Sequence, residues 1–140
     1  MSTTTVRLSN VLKNSADIQH ILEDSAFTSP TLQDHLAELL AQTSKRRSEV
    51  IRQSALDPSY AYQIFSGRRL HPSRDQVIAL AFGFALDSRE ANRLLRAAVV
   101  GTLHPKNKRD AVLINSLENA KTLDQTNEIL FTLTLPTLGA

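Results

Sequence analysis

The sequence predicts an all-α fold, and three observations carry that prediction. Apolar residues recur at helical spacing along most of the chain, as in Leu32, Leu36, Leu39 and Leu40. Helix-start signatures stand ahead of several of these runs: Ser29-Pro30, Asp57-Pro58, Pro72-Ser73, and Thr122 with Gln125 three residues on. The stretch that alternates as a strand would, Leu130–Leu135, runs into Pro136 and has no evident partner strand.

The elements follow in order. Asn14 or Ser15 can cap a short helix through about Glu23, with Ile18, Ile21 and Leu22 as its apolar side, inside a Ser/Thr-rich arm spanning 1–28. The first main helix begins near Ser29-Pro30, because serine is a good N-cap and proline is tolerated in a first turn. The second covers about 47–54 with Val50 and Ile51 as its apolar face, and Ala55-Leu56 closes it. The third starts with Asp57 as N-cap and Pro58 at the first helical position, and runs to about Phe65. Ser66-Gly67 ends it, Gly67 being suited to a left-handed cap. The fourth starts around Pro72-Ser73 and carries Val77, Ile78, Leu80 and Ala81. A fifth covers 88–99 with Leu94, Leu95 and Ala98 inward, and Gly101 and Pro105 bracket the loop after it. The sixth, about 108–119, holds Ala111, Val112, Ile114 and Leu117. The seventh runs from Leu123 to about Leu133 behind a capping box of Thr122 and Gln125.

A chain of 140 residues holds one core of ordinary size. The expected organisation is the arm at 1–28, a helical domain at 29–99, and a helical extension at 100–140 that packs on the same core or at a dimer interface. An apolar fraction of 41% and a charged fraction of 21% describe a globular protein. The absence of cysteine excludes a disulfide scaffold and thiolate chemistry, and is compatible with a reducing cytoplasm, the expected location. The start of the chain lacks the continuous apolar core of a signal peptide, and no run of 18 apolar residues offers a membrane span.

Charge is unevenly distributed. Residues 45–74 contain seven basic residues (Lys45, Arg46, Arg47, Arg52, Arg68, Arg69, Arg74) against Glu49 and Asp57, a net of +5 where the whole chain carries +2. Residues 1–44 carry −3. Basic residues gathered on a compact helical unit suggest contact with a phosphate backbone. Two short helices joined by an apolar hinge can hold one of them at a fixed angle for reading DNA. Val50, Leu56, Ala61 and Ile64 form the expected inner seam, and small Ala61 lets the helices approach closely. Ser59, Tyr62 and Gln63 then face outward as candidate base contacts, with Gln63 able to bond adenine bidentately. Tyr60 lies toward one edge, either against the fourth helix or in contact with the DNA backbone. Arg46, Arg47, Arg68 and Arg69 flank this helix and can grip phosphates on both sides of a major groove.

From about Leu32 to Leu86 the sequence resembles the Cro/CI-type helix-turn-helix regulators, also described as lambda-repressor-like or XRE-like. The resemblance lies in SEVIRQSALD, PSYAYQIFSGRR, HPSRDQ and IALAFGFAL. It departs from the family where Thr43-Ser44 replaces a glycine between the first two helices, where Ala55 replaces the glycine of the bend, and where Phe65 replaces a glutamate ahead of the retained Gly67. The run HPKNKRDAVLINSLENAKTLDQTNEIL is similar in form to a branch of small Gram-positive regulators with two further helices. The resemblance implies a lambda-repressor-like helix-turn-helix bundle with additional C-terminal helices. It also implies Arg46 or Arg47 on the DNA backbone, and Pro58, Ser59, Tyr62 and Gln63 toward base edges. The implied function is a sequence-specific regulator of transcription on double-stranded DNA, working as a homodimer, with no cofactor.

A protein-interaction module on the same scaffold, such as a partner subunit or an antirepressor-like protein, is the alternative, favoured by Tyr62 and Phe65 as exposed aromatics. Phe82 and Phe84 are expected in the core or a subunit interface, and FTLTLPTL packed on the body or a second subunit. His20, His35, His71 and His104 match no compact metal motif; His71 either caps a helix or contacts phosphate. No glycine-rich phosphate loop or HExxH run suggests an enzyme. The Ser/Thr residues near Arg7 are candidate phosphorylation sites that would alter the arm's charge.

Overall fold

The structure, a computed structural model, describes residues 31–139, and over that span it contains seven helices and no strand. They are α1 (Leu32–Gln42), α2 (Arg47–Ser54), α3 (Pro58–Ser66), α4 (Arg74–Gly83), α5 (Ser88–Ala97), α6 (Lys108–Glu118) and α7 (Leu123–Thr132). The expected short helix through Glu23 and the candidate phosphorylation sites fall outside the described residues. No helix among the described residues is long and apolar enough to cross a membrane.

The N-termini are built by side-chain caps. Thr31 rather than Ser29 caps α1, in a reciprocal box with Asp34. Asp57 caps α3 ahead of Pro58. Ser73, not His71, caps α4 with Gln76 as partner, and Thr122 with Gln125 caps α7. The second and third helices end where expected, at Ala55 and Gly67. Only α3 stops on a left-handed glycine, Gly67 at φ 84°. Left-handed residues at or just after the ends of α2, α4, α5, α6 and α7 are Ala55, Ala85, Val99, Ala120 and Thr134. After α4 to α7 the next residue along turns its N–H back onto a carbonyl five residues earlier (Leu86 to Ala81, Val100 to Leu95, Lys121 to Ser116, Leu135 to Leu130). This bond satisfies carbonyls that the helix leaves unpaired. The alternating segment after Leu130 is therefore the last turn of a helix and its cap, not a strand.

α4 is the centre of the bundle. Every residue from Val77 to Gly83 is buried, as a helix surrounded on all sides requires. α2, α5 and α7 pack against it, while α1 packs on α3 and α5 and α6 packs on α5 and α7. Gly83 lets α2 come close, because a Cβ there would lie 2.4 Å from the Val50 carbonyl oxygen. Phe82 and Phe84 are core residues. On α6 the inward face is Asp110, Leu113 and Leu117, with Ala111, Val112 and Ile114 half-buried beside it, so the expected face is displaced around the axis.

Two reciprocal ion pairs join α4 to α6. Arg74-Asp75 opens α4 and Arg109-Asp110 lies in the first turn of α6. Arg74 donates to both carboxylate oxygens of Asp110 at 2.7 and 3.1 Å, and Arg109 to both of Asp75 at 2.9 Å. Arg74 also donates to the carbonyls of Gly101 and Thr102, and Arg109 to those of Pro136 and Thr137. Asn127 holds Leu138 through both its N–H and its carbonyl, and Leu138 is buried. Leu130 and Leu138 thus seat the tail on the body, while Phe131 and Leu133 point to solvent.

Candidate nucleic-acid interface

The geometry of the candidate surface starts with the rotation of α3. Ala61 and Ile64 are fully buried and set which side faces the core. At 100° per residue the opposite side carries Ser59, Tyr62, Gln63 and Ser66. Ser59, Tyr62 and Ser66 are exposed and Gln63 is half-exposed. Ser66 is an outward residue that the sequence reading used only as a helix stop. Leu56, expected in the seam, is partly buried against the core.

Aromatic rings occupy the two edges of this face, and each meets an arginine. On one edge Tyr60 packs against α4, its hydroxyl donating to Gln76 Oε1 at 2.9 Å. The same oxygen accepts the Ser73 N–H at 2.8 Å, so Tyr60 is tied to the cap of α4. The Arg69 guanidinium lies 4.3 Å from the centre of the Tyr60 ring, and its Nε donates to Gln63 Oε1 at 2.9 Å. On the other edge Phe65 is half-buried, not exposed as expected, with its ring 6.1 Å from that of Phe84. The Arg47 guanidinium stands 5.7 Å from the Phe65 ring centre. Each cation–ring contact contributes about 0.5–1 kcal/mol at an exposed site. Their larger effect is positional: one guanidinium from the start of α2 and one from the loop after α3 stand at opposite edges of the α3 face.

Gln33 of α1 supports the same loop. Its amide makes long contacts of 3.4 Å to the carbonyls of Ile64 and Arg69, and its Cγ lies where a Cβ on Gly67 would touch it. Neither Gln33 nor Gln76 was singled out from the sequence, because glutamine on a helix looks like ordinary solvated surface until its partner is known.

The basic cluster divides into two groups. Arg46, Arg47, Arg52, Arg68 and Arg69 are exposed. Lys45 and Arg74 are occupied in holding the fold. Lys45 Nζ donates to Gln53 Oε1 at 2.6 Å and to the Gly83 carbonyl at 3.1 Å, where a cation suits the negative end of α4. Arg74 is committed to Asp110. Burial alone would push the Asp110 carboxyl up. The hydrogen bonds from Arg74 and the His104 N–H, with the charges of Arg74 and Arg109, outweigh burial and hold it below the usual carboxylate value. The +5 read from 45–74 therefore overstates the charge free to meet a partner.

Among the described residues no group of three His, Cys, Asp or Glu side chains is placed to hold a metal ion. No protein-family model, curated protein or solved structure matches this chain.

Proposed function

We propose that this chain is a sequence-specific double-stranded DNA-binding regulator of transcription, and that α2 and α3 are the two helices of a lambda-repressor-like helix-turn-helix. The observation that carries this reading is the outward face of α3. Ser59, Tyr62 and Gln63 lie together on a helix whose two edges each hold an arginine against an aromatic ring. In this reading α3 enters the major groove, those side chains meet base edges, and Arg46, Arg47 and Arg68 set the position on phosphates. The backbone at Ala55 adds support. The residue is left-handed, with φ 57° and ψ 17°, at the position where the family resemblance places a glycine.

Regulation by promoter occupancy needs neither catalysis nor a cofactor. A homodimer reading two half-sites is the proposed assembly, in the cytoplasm, with a regulatory protein partner as the route for any signal. A second reading, a protein-interaction module, is favoured by one observation: Phe131 in the last turn of α7 is 79% exposed and Leu133 just after it 53% exposed.

Selection from a random duplex pool, followed by titration of the selected site and a scrambled one across a salt series, tests the proposal. A selected palindrome preferred over the scramble, with affinity falling steeply as salt rises, is the expected result. Absence of DNA binding at moderate salt would overturn it in favour of the protein-interaction reading.

A further inference from the structure

Arg69 is held far more firmly than a phosphate contact requires. Its N–H donates to the Gln63 carbonyl at 3.0 Å, and its own carbonyl faces the Gln33 amide at 3.4 Å. Its Nε donates to Gln63 Oε1 at 2.9 Å, and its guanidinium lies 4.3 Å from the Tyr60 ring centre. Tyr60 is in turn anchored to Gln76 on α4. Backbone, side-chain nitrogen and guanidinium plane are each constrained, on an exposed loop residue.

A charge that only neutralises phosphate gains little from such support, because a mobile lysine or arginine follows the backbone equally well. A fixed fork matters where two donors must meet two acceptors at once. With Nε engaged by Gln63, the free edge of Arg69 is the Nη1/Nη2 pair. That pair matches the O6 and N7 acceptors of guanine in the major groove. Gln63 Oε1, the atom a bidentate adenine contact would use as acceptor, is already bonded to Arg69.

Building on the DNA-binding reading, we propose that Arg69 reads a guanine base and that Gln63, instead of contacting a base itself, is its positioning residue. Tyr60 and Gln76 complete the support, the first as a stacking platform and the second as the anchor of that platform. Holding the side chain in its binding geometry beforehand lowers the ordering cost of the contact.

The test uses the full chain and the duplex recovered from random selection, with each position of that duplex changed in turn. Wild type prefers guanine at one position per half-site by about 10-fold or more over the other bases, in line with the energy of a bidentate pair. Arg69→Lys keeps the charge and loses the fork. It lowers that preference several-fold at that position alone, because an ammonium still donates to guanine but without the fork, leaving the other positions and the salt dependence unchanged. Gln63→Ala weakens the same preference by a smaller factor and affects no separate A·T position. Because it leaves the arginine in place, it gives an independent readout if Arg69→Lys does not fold. Guanine preference undiminished in Arg69→Lys, or lost adenine preference at another position in Gln63→Ala, overturns the assignment. Wild type binding all duplexes alike overturns the DNA-reading function itself, and the assignment with it.

Discussion

Replacing Val99 with glycine should make this protein more stable although it removes a side chain. Val99 follows α5 with φ 56°, in the left-handed region, and is 87% exposed. An L-residue there costs about 1–2 kcal/mol, and a β-branched one belongs at the upper end. Against this, glycine loses more chain entropy on folding, about 0.5–1 kcal/mol. The small buried part of the valine contributes roughly 0.3 kcal/mol, scaled from the value for a fully buried side chain. The balance is a gain of about 0.5–1 kcal/mol, which for a domain of this size raises Tm by roughly 2–4 °C. The assay is urea unfolding followed by circular dichroism, with thermal melting alongside. Val100→Gly is the control. Val100 donates its N–H to the Leu95 carbonyl in the same turn, is half-buried and lacks a positive φ, so glycine there should destabilise. If Val99→Gly lowers stability as Val100→Gly does, strain at the end of α5 is not a significant cost and the reasoning fails.

Other outcomes follow from the same structure. Gly83→Ala places a Cβ 2.4 Å from the Val50 carbonyl oxygen. Relieving that contact requires α2 to move away from α4, so a loss of about 3 kcal/mol in urea unfolding is expected, and near-neutral behaviour would mean the helices separate easily. Asp110→Asn should cost about 2 kcal/mol at neutral pH, as loss of hydrogen bonds to a charged group does. Because the folded carboxyl titrates below its ordinary value, the stability it supplies is complete above about pH 4. It is lost as pH falls through the folded value, so wild type and Asp110→Asn should converge in acid; a constant gap down to the most acid pH would contradict the ion pair. Under the proposed DNA-binding function, Arg47→Ala should weaken binding to all duplexes about equally and reduce the salt slope by about one charge, whereas a loss confined to one base position would place Arg47 on a base instead.

Local chemistry made most of the fold legible. Asp57-Pro58, Ser73 and Thr122 with Gln125 cap their helices because a cap depends on residues within one turn of each other. The outward placement of Ser59, Tyr62 and Gln63 was legible for a similar reason: once Ala61 and Ile64 face the core, helical periodicity places the rest. Helix ends were less legible. The left-handed residues at five of them are alanine, valine and threonine, so the glycine signal was missing while the hydrogen-bond geometry of the stop was retained.

The sequence by itself determined an all-helical chain with a basic middle and a short helix bearing polar outward residues, because periodicity, caps and charge are properties of neighbours along the chain. Tertiary structure alone decided how the charges are used. Arg74 and Lys45 read as surface cations beside Arg47 and Arg69, yet they spend their donors on Asp110 and on the end of α4, at separations of 36 and 38 residues. Arg69 reads as one more arginine until Tyr60, Gln63 and Gln33 are seen around it. The physical reason is that an ion pair or a stacked guanidinium needs two groups brought within a few ångströms. Only packing α4 at the centre, against helices distant in the chain, brings them there.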